Sequence, residues 1–286
     1  SQHILQVSLL HRVHEPWHLH DWAPNTSRVV NGEEARPYSW PWQVSLESFF
    51  PTCGGTLIAP DWVLTAAHCI TFHTYRVVLA EHDMKKQEGP EQSIMVKKMF
   101  IHPKWNDNCV SCGNDIALLK LEKSAVINDK VQLACLPQPG ATLAHNQPCY
   151  VTGWGPKIFN FFSCCYNECA LLPVVDHSIC SKSDWWGSSA KTTMVCAGGE
   201  SKSGDSGGPL NCKGRDGKWY VEGVTSFVNG RGCNTPKKPT MFTRVGYGVQ
   251  SFLLNVNLWP RKRENHISVN IFYCSNFPCK ESMPEK

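Results

Sequence analysis

Three short segments of the chain carry residue types that together can perform nucleophilic catalysis. They read LTAAHC at 64–69, GNDIAL at 113–118 and GDSGGPL at 204–210. A serine hydroxyl such as that of Ser206 is a weak nucleophile at neutral pH, so a histidine must accept its proton during attack on a carbonyl. A carboxylate can hold that imidazole in one tautomer and stabilise its charged form. The segments therefore predict a triad of Ser206, His68 and Asp115.

Glycines surround the candidate nucleophile. Without a side chain, they let backbone N–H groups approach a developing oxyanion, and the donors here would be those of Gly204 and Ser206. A single histidine or aspartate in such a segment is as often structural as catalytic. The occurrence of all three segments in one chain favours catalysis over the structural interpretation.

Composition narrows the class of protein. The chain has 286 residues, 42% of them hydrophobic and 18% charged, with a formal net charge of +4. This length can bury a large core, and the composition is the opposite of a disordered chain. The net charge is small, and no dense stripe of Lys and Arg lies within the part expected to fold. Both observations argue against nucleic-acid binding. No apolar run reaches the roughly 18–20 residues of a membrane span. We therefore expect neither nucleic acid nor membrane as a partner.

Fifteen cysteines are many for a chain of this length. Reduced cytosolic proteins rarely carry so many, so an oxidising compartment is predicted, and with it a secreted, extracellular protein. A signal peptide is not visible in residues 1–28, which are rich in His and Pro.

From Val29 onward, short apolar runs alternate with Gly, Pro and Asn turns. These runs cover residues 42–46, 56–59, 75–80, 94–101, 116–121, 150–153 and 219–227. Such spacing is typical of antiparallel sandwiches or barrels. The turn at 138–140 (QPG) marks a crossover between two halves. An amphipathic helix is predicted around 249–256, ending before Pro260, with a polar tail of unclear structure at 260–286.

Further segments give the chain a resemblance to a known family. They read VVNG at 29–32, PWQV at 41–44, CGGTLI at 53–58, VTGWG at 151–155 and FTRV at 242–245. With the triad segments, they resemble the chymotrypsin-like serine proteases over about 29–245. A finer resemblance, to pancreatic elastases of the protease E type, is carried by APDW at 59–62, CVSCGND at 109–115, LPVVD at 172–176 and DWWGS at 184–188.

The resemblance implies an all-β fold of two six-stranded antiparallel β-barrels packed together, with a C-terminal helix. The leader would occupy 1–28 and the protease domain 29–259, with barrels at about 29–138 and 139–245. His68 and Asp115 would come from the first barrel and Ser206 from the second. The implied activity is that of a monomeric serine endopeptidase working through an acyl-enzyme.

Members of this family are made as inactive zymogens. By resemblance, a trypsin-like protease would cut between Arg28 and Val29, and the new ammonium of Val29 would pair with Asp205. A buried carboxylate beside Ser206 needs such a counter-charge. The alternative is that Arg28 is an ordinary exposed basic residue.

The resemblance also places the substrate pocket. Ser226, Phe227 and Val228 match the segment along which substrate pairs as an added strand. Val228 and Thr240 stand where chymotrypsin-like members carry glycines, which would shorten the pocket and favour a small aliphatic residue such as alanine before the scissile bond. Alternatively, these two side chains merely pack. Protein or peptide substrates and proteinaceous serine protease inhibitors are the implied partners.

Four disulfides match the family, and no cofactor is required. The pairs are Cys53–Cys69, Cys109–Cys112, Cys149–Cys212 and Cys180–Cys196. The acidic residues of one loop, namely Glu81, Asp83, Glu88 and Glu91, resemble the family's calcium-binding loop, because clustered oxygen ligands suit a hard cation. The alternative is a solvated acidic loop.

Some segments depart from the family pattern. Lys202 stands where the family has a cysteine, residues 200–203 form a shortened segment, and Cys233 matches the usual partner of that cysteine. Residues 159–169 match nothing in the family. These departures motivate a second hypothesis, a catalytically inactive homologue that acts as a binding protein, and a third, a disulfide-rich structural protein. The intact triad favours the enzyme.

Overall fold

The computed structural model describes residues 33–72, 74–154, 168–199, 205–230, 235–246 and 252. Within these residues the chain forms thirteen β-strands, three 3₁₀ turns and one short α-helix, α1 at His177–Cys180. The side chain of Asp176 caps α1 by accepting a hydrogen bond from Ser178 N at 2.7 Å. Within this described part, no helix is both long and apolar enough to cross a bilayer.

Six strands close into the first barrel. They are β2 (Gln43–Glu47), β3 (Pro51–Ala59), β4 (Trp62–Thr65), β5 (Arg76–Leu79), β6 (Gln92–Ile101) and β7 (Ala117–Leu121). Neighbours around the barrel follow the order β2-β3-β4-β7-β6-β5, and every pair is antiparallel. Closure removes the exposed strand edges that an open sheet would present.

The second barrel uses the remaining strands apart from β1. They are β8 (Pro148–Gly153), β9 (Glu168–Val175), β10 (Met194–Ala197), β11 (Pro209–Lys213), β12 (Trp219–Phe227) and β13 (Thr240–Arg244). The sheet order β9-β10-β13-β12-β11-β8 closes through pairing of β8 with β9. Strand β1 (Glu33–Glu34) also pairs with β9, although it precedes the first barrel in the chain.

This architecture confirms the predicted all-β fold of two six-stranded antiparallel barrels. Val245, Gly246 and Phe252 are helical, and the rest of the helix predicted around 249–256 lies outside the described residues.

Of the predicted strands, the run 219–227 coincides with β12, whereas β3 begins five residues before the run at 56–59. The early part of β3, with Pro51, Thr52 and two glycines, lacks the apolar alternation that marks a strand in sequence.

A buried polar chain links the two barrels. Trp42 Nε1 of the first barrel donates to Asn211 Oδ1 of the second at 2.9 Å, and Asn211 Nδ2 donates to Thr152 Oγ1 at 3.2 Å. Thr152 Oγ1 in turn donates to Gln43 Oε1 across the interface at 2.6 Å. All four side chains are buried, with Asn211 and Thr152 at 0% exposure. Because each buried polar group has a partner, this network favours one relative placement of the barrels.

Aromatic rings fill the space beside this chain. Trp40 of the first barrel lies 5.1 Å from Trp219 and 5.9 Å from Tyr150, measured between ring centroids. The pair with Trp219 is edge-to-face, an arrangement that aromatic quadrupoles favour. The barrel interface is therefore a packed aromatic core that contains a polar network.

Replacing Asn211 by alanine should weaken this interface. The substitution leaves the buried indole N–H of Trp42 without its acceptor, so we expect a loss of about 1–3 kcal/mol in the free energy of unfolding. Urea denaturation in a Ser206→Ala background would measure it without self-digestion. Asn108→Ala, on an exposed turn, is the control and should change stability by less than about 0.5 kcal/mol. Equal effects of the two substitutions would contradict the assigned role of the network.

Candidate active site

Strand pairing in the first barrel brings His68 and Asp115 together. The 3₁₀ turn Ala67–Cys69, which contains His68, follows the end of β4, and Asp115 lies just before β7. In the antiparallel β4–β7 pair, Thr65 lies opposite Ala117. The two candidate catalytic residues therefore leave the sheet at the same end of neighbouring strands, although 47 positions separate them in sequence.

Asp115 is a fully buried carboxylate that receives several hydrogen bonds. His68 Nδ1 lies 2.7 Å from Oδ2, and His68 N donates to Oδ1 at 3.0 Å. Ser226 Oγ donates to Oδ2 at 2.5 Å, and Thr243 Oγ1 donates to the backbone carbonyl of Asp115 at 2.8 Å. A buried charge is tolerated only when it is hydrogen-bonded in this way. The carboxylate holds the imidazole with its proton on Nδ1, which leaves Nε2 free to accept one.

Ser206 lies in a tight turn pressed against the first barrel. Its carbonyl oxygen accepts from Gly54 N at 2.8 Å, and Gly207 N donates to Thr225 O at 3.0 Å. Gly207 has a φ of 75°. A Cβ at this position would lie 2.3 Å from Thr65 Oγ1 and 3.0 Å from Cys69 Sγ. Only glycine therefore lets the turn approach the segment that contains His68.

The two reactive side chains are both accessible. The side chain of His68 is 26% exposed and Ser206 is exposed. In the described part of the chain, Ser206 Oγ makes no hydrogen bond to His68 Nε2. This nitrogen lies 3.7 Å from Cys69 Sγ. In free enzymes such bonds are often long and shorten when substrate is bound. The arrangement provides an exposed hydroxyl, a base in the correct tautomer and a buried carboxylate to stabilise the imidazolium.

Asp205, next to the nucleophile, is the second buried carboxylate of the site. Burial raises the pKa of Asp205 to about 7, against the opposing effect of a hydrogen bond from Trp154 N at 3.2 Å. A Cβ at Gly153 would lie 2.3 Å from Asp205 Cβ, so glycine backbone encloses this side chain. Among the described residues Asp205 has no cationic partner. Its ionised form is therefore destabilised by desolvation.

The residues predicted to line the substrate pocket lie at one end of the β12–β13 pair. Phe227 pairs with Met241, so Val228 and Thr240 flank this cross-strand pair on neighbouring strands. Thr240 is 2% exposed and Val228 is half-buried. Ser226, predicted only to bind substrate, also supports Asp115 through its hydroxyl, a contact that no local sequence signal indicates.

Trp186 packs against Phe227, one of the residues predicted to bind substrate. From the sequence, Trp186 was only part of the DWWGS segment that resembles the family. Its ring lies edge-on to Phe227 with centroids 5.3 Å apart, and its Nε1 donates to Pro239 O at 2.9 Å. It thus ties the 184–188 segment to the segment before β13. The signal for this role was two consecutive tryptophans in a surface-like segment, DWWGS.

Disulfides brace the loops that carry the site. The structure joins Cys53 to Cys69, Cys109 to Cys112, Cys149 to Cys212 and Cys180 to Cys196. Cys135 is disulfide-bonded as well, which the sequence left open. The first bridge ties β3 to the turn beside His68, so the base is connected covalently to the strand that contacts Ser206.

The acidic loop brings together three of its four predicted ligands. Carboxylate oxygens of Glu81, Glu88 and Glu91 lie within 4.8 Å of one another. Burial, and then the charges of Glu91 and Glu47, raise the pKa of Glu81 to about 7. The carboxylate of Asp83 is used otherwise, with Oδ1 accepting from Lys85 N at 3.1 Å and Oδ2 lying 3.3 Å from Lys86 Nζ.

Several sequence predictions fall on residues outside the described part of the chain. They are the cleavage pair Arg28 and Val29, the oxyanion donor Gly204, the shortened segment 200–203, Cys233, and 159–167.

Comparisons with known proteins agree with this geometry. Residues 29–251 match the Trypsin family. Chymotrypsin-like elastase family member 3B of Homo sapiens is 59% identical over 231 residues, which cover 77% of this chain and 86% of the human protein. Proproteinase E of Bos taurus is 58% identical over 77% of this chain and 91% of the bovine protein. Chymotrypsin-like elastase family member 1 of Rattus norvegicus is 52% identical over 79% of this chain and 88% of the rat protein.

The family match spans both barrels and the residues of the candidate site, and the aligned part of this chain covers most of the length of each of these relatives. The chain therefore belongs to the Trypsin family and is a serine endopeptidase of its chymotrypsin-like elastase branch.

Proposed function

We propose that the protein is a secreted digestive endopeptidase, made as a zymogen, that cuts proteins after small aliphatic residues. The observation that carries the catalytic part is the buried Asp115, bonded to His68 Nδ1 at 2.7 Å beside the exposed Ser206. The names of its relatives, elastases and a proproteinase, support the substrate class and the zymogen. The disulfides support an oxidising compartment and hence secretion.

The proposed chemistry follows from the arrangement of the triad. Ser206 Oγ attacks the scissile carbonyl while His68 Nε2 accepts its proton, and Asp115 stabilises the resulting imidazolium. The C–N bond breaks as His68 returns the proton to the leaving amine, which gives an acyl-enzyme. Water then attacks the ester with His68 again as base, and Ser206 regains its proton. The N–H groups of Ser206 and Gly204 would stabilise the oxyanion in both steps.

Activation by cleavage is supported by the state of Asp205. Its carboxylate is buried, and among the described residues its one donor is Trp154 N, so a cation that reaches it would remove a large desolvation cost. The ammonium of Val29, released by a trypsin-like protease at Arg28, is the proposed cation. Its arrival would order the oxyanion loop, which would explain how an uncut chain can bring His68 and Asp115 together and still be inactive.

Active-site labelling tests this proposal. We expect a fluorophosphonate probe to label the chain only after trypsin cleavage, because the uncut chain lacks the counter-charge for Asp205. Mass spectrometry should locate the label on Ser206. Ser206→Ala should abolish labelling, and Arg28→Gln should prevent both cleavage at this bond and labelling.

The outcome also separates the enzyme from the alternative of an inactive homologue that acts as a binding protein. A folded chain that is cut after Arg28 and takes up no probe would support the homologue. Labelling of the Arg28→Gln chain at the wild-type rate would instead contradict activation at this bond.

The proposed preference for alanine rests on two side chains at the end of the β12–β13 pair. Val228 and Thr240 flank the Phe227–Met241 pair, and Trp186 closes the side next to Phe227. Side chains at these positions would fill the space that a large substrate residue needs. Protein inhibitors that present a small residue to the same pocket are the expected antagonists.

Opening the pocket should change its preference. In the double variant Val228→Gly and Thr240→Gly, we expect kcat/KM for a P1-phenylalanine peptide to rise by about 10–100-fold relative to the matching P1-alanine peptide, because a few buried methyl groups are worth this much discrimination. Val126→Gly, at a valine that is 67% exposed, is the control and should leave the ratio unchanged. An unchanged ratio in the double variant would contradict the pocket assignment.

A structural calcium ion is proposed for the acidic loop. In the described residues, the buried Oε1 of Glu81 has no hydrogen-bond partner, although the carboxylates of Glu88 and Glu91 lie beside it. Three hard oxygen donors with an excess of negative charge fit Ca²⁺, which would hold the loop together. Asp83 would contribute through its hydrogen bonds to the loop and not as a carboxylate ligand.

Calcium should therefore stabilise the protein. In the Ser206→Ala background, we expect the unfolding temperature to rise with Ca²⁺, and at 100 times the dissociation constant the gain should be about 2.7 kcal/mol. Glu88→Gln should remove the response, whereas Glu122→Gln, at an exposed glutamate, should keep it. The same response in all three proteins, or none in the parent, would favour the solvated acidic loop.

A further inference from the structure

Trp154 makes two hydrogen bonds that point in different directions. Its indole Nε1 donates to the backbone carbonyl of His82 at 3.1 Å, and its backbone N donates to Asp205 Oδ2 at 3.2 Å. Trp154 is 5% exposed. One rigid, buried residue of the second barrel therefore connects the acidic loop of the first barrel to the carboxylate beside the nucleophile.

Asp205 has little freedom to move independently of Trp154. A Cβ at Gly153, the residue before Trp154, would lie 2.3 Å from Asp205 Cβ and 2.7 Å from its Oδ2. A Cβ at Gly54 would lie 2.9 Å from the same Oδ2. Backbone without side chains thus encloses the carboxylate, and a shift of the 153–154 segment must move it or break its hydrogen bond from Trp154 N.

The acidic loop also contacts the start of the mature domain. His82 Nε2 lies 3.2 Å from Glu34 Oε1, and the ring of His82 lies 6.3 Å from that of Tyr38. Glu34 belongs to β1, which begins five positions after Arg28 and pairs with β9 of the second barrel. His82 thus contacts β1 with its side chain and Trp154 with its carbonyl.

We propose that Trp154 is a positioning residue that couples the acidic loop at 81–91 to Asp205, so that the packing of this loop sets how much of the cleaved enzyme has a competent oxyanion site. This coupling rests on the proposed activation through Asp205. Packed side chains and hydrogen bonds can carry coupling between two sites, and Trp154 donates a hydrogen bond to each of them. Trp154 does not touch substrate and takes no part in the proton transfers.

Trp154→Phe isolates the indole contact, because phenylalanine keeps an aromatic ring and the backbone donor to Asp205. In the cleaved enzyme we expect kcat and the rate of fluorophosphonate labelling to fall by about tenfold, as for the loss of one ordinary hydrogen bond, with KM changed by less than about twofold. Trp219→Phe is the matched control. Trp219 is also a buried tryptophan, and its Nε1 has no partner among the described residues, so this control removes ring volume and no hydrogen bond.

A double-mutant cycle tests the coupling itself. Glu81→Gln removes one carboxylate from the crowded loop, and labelling is measured in calcium-free buffer with Trp154 and with Trp154→Phe. We expect Glu81→Gln to change the labelling rate by about threefold or more in the first background and by less than about 1.5-fold in the second, since coupled sites give non-additive effects.

Two results would overturn this inference. One is an equal loss of kcat in Trp154→Phe and Trp219→Phe, which would show a general packing effect. The other is the absence of any Glu81→Gln effect with Trp154 present, or the same effect in both backgrounds. Failure of the proposed function is distinguishable, because the cleaved parent enzyme would then take up no probe at all.

Discussion

The buried carboxylate of Asp115 is the constraint on which the rest of the structure depends. A charge with 0% exposure is stable only if donors surround it, and its donors come from both barrels. His68 belongs to the first barrel, whereas Ser226 and Thr243, which bond its carboxylate and its carbonyl, belong to β12 and β13 of the second. Separation of the barrels would remove the Ser226 donor from the carboxylate and the Thr243 donor from the backbone carbonyl. The barrel interface therefore completes the hydrogen bonding of the carboxylate that strand pairing in the first barrel places against His68.

Asp205, the residue directly before Ser206, is a buried carboxylate in a different hydrogen-bonding environment. It is also buried, at 6% exposure against 0% for Asp115, and among the described residues its side chain accepts a hydrogen bond only from Trp154 N. The two buried carboxylates of the site thus differ in the hydrogen bonds that they accept from described residues. A fully bonded carboxylate suits a permanent part of the triad. A poorly bonded one suits a group whose partner arrives later, which is the physical basis of the proposed activation by Val29.

Much of this could be predicted from local sequence. Glycine-rich segments around Ser206 and the apolar runs that became β2, β7 and β12 have signals that depend on a few neighbouring residues, namely side-chain type, alternation and backbone freedom. Strands β9 and β11 were not among the predicted runs. Pro173 interrupts the apolar alternation of β9, and Asn211, a polar residue in the middle of β11, is buried only because Trp42 of the other barrel meets it.

By itself, the sequence determined the family and hence the two-barrel fold, and it predicted the triad residues, because these depend on residue types at short spacing and on the resemblance they carry. Only the tertiary structure decided which groups meet across long separations. It showed that Ser226 supports Asp115, that Asp83 turns to Lys85 and Lys86 and away from the other acidic residues, and that Trp154 joins His82 to Asp205. The reason is physical. A hydrogen bond between residues 72 or 111 positions apart leaves no trace in the sequence near either one, since strand register and barrel closure bring its partners together.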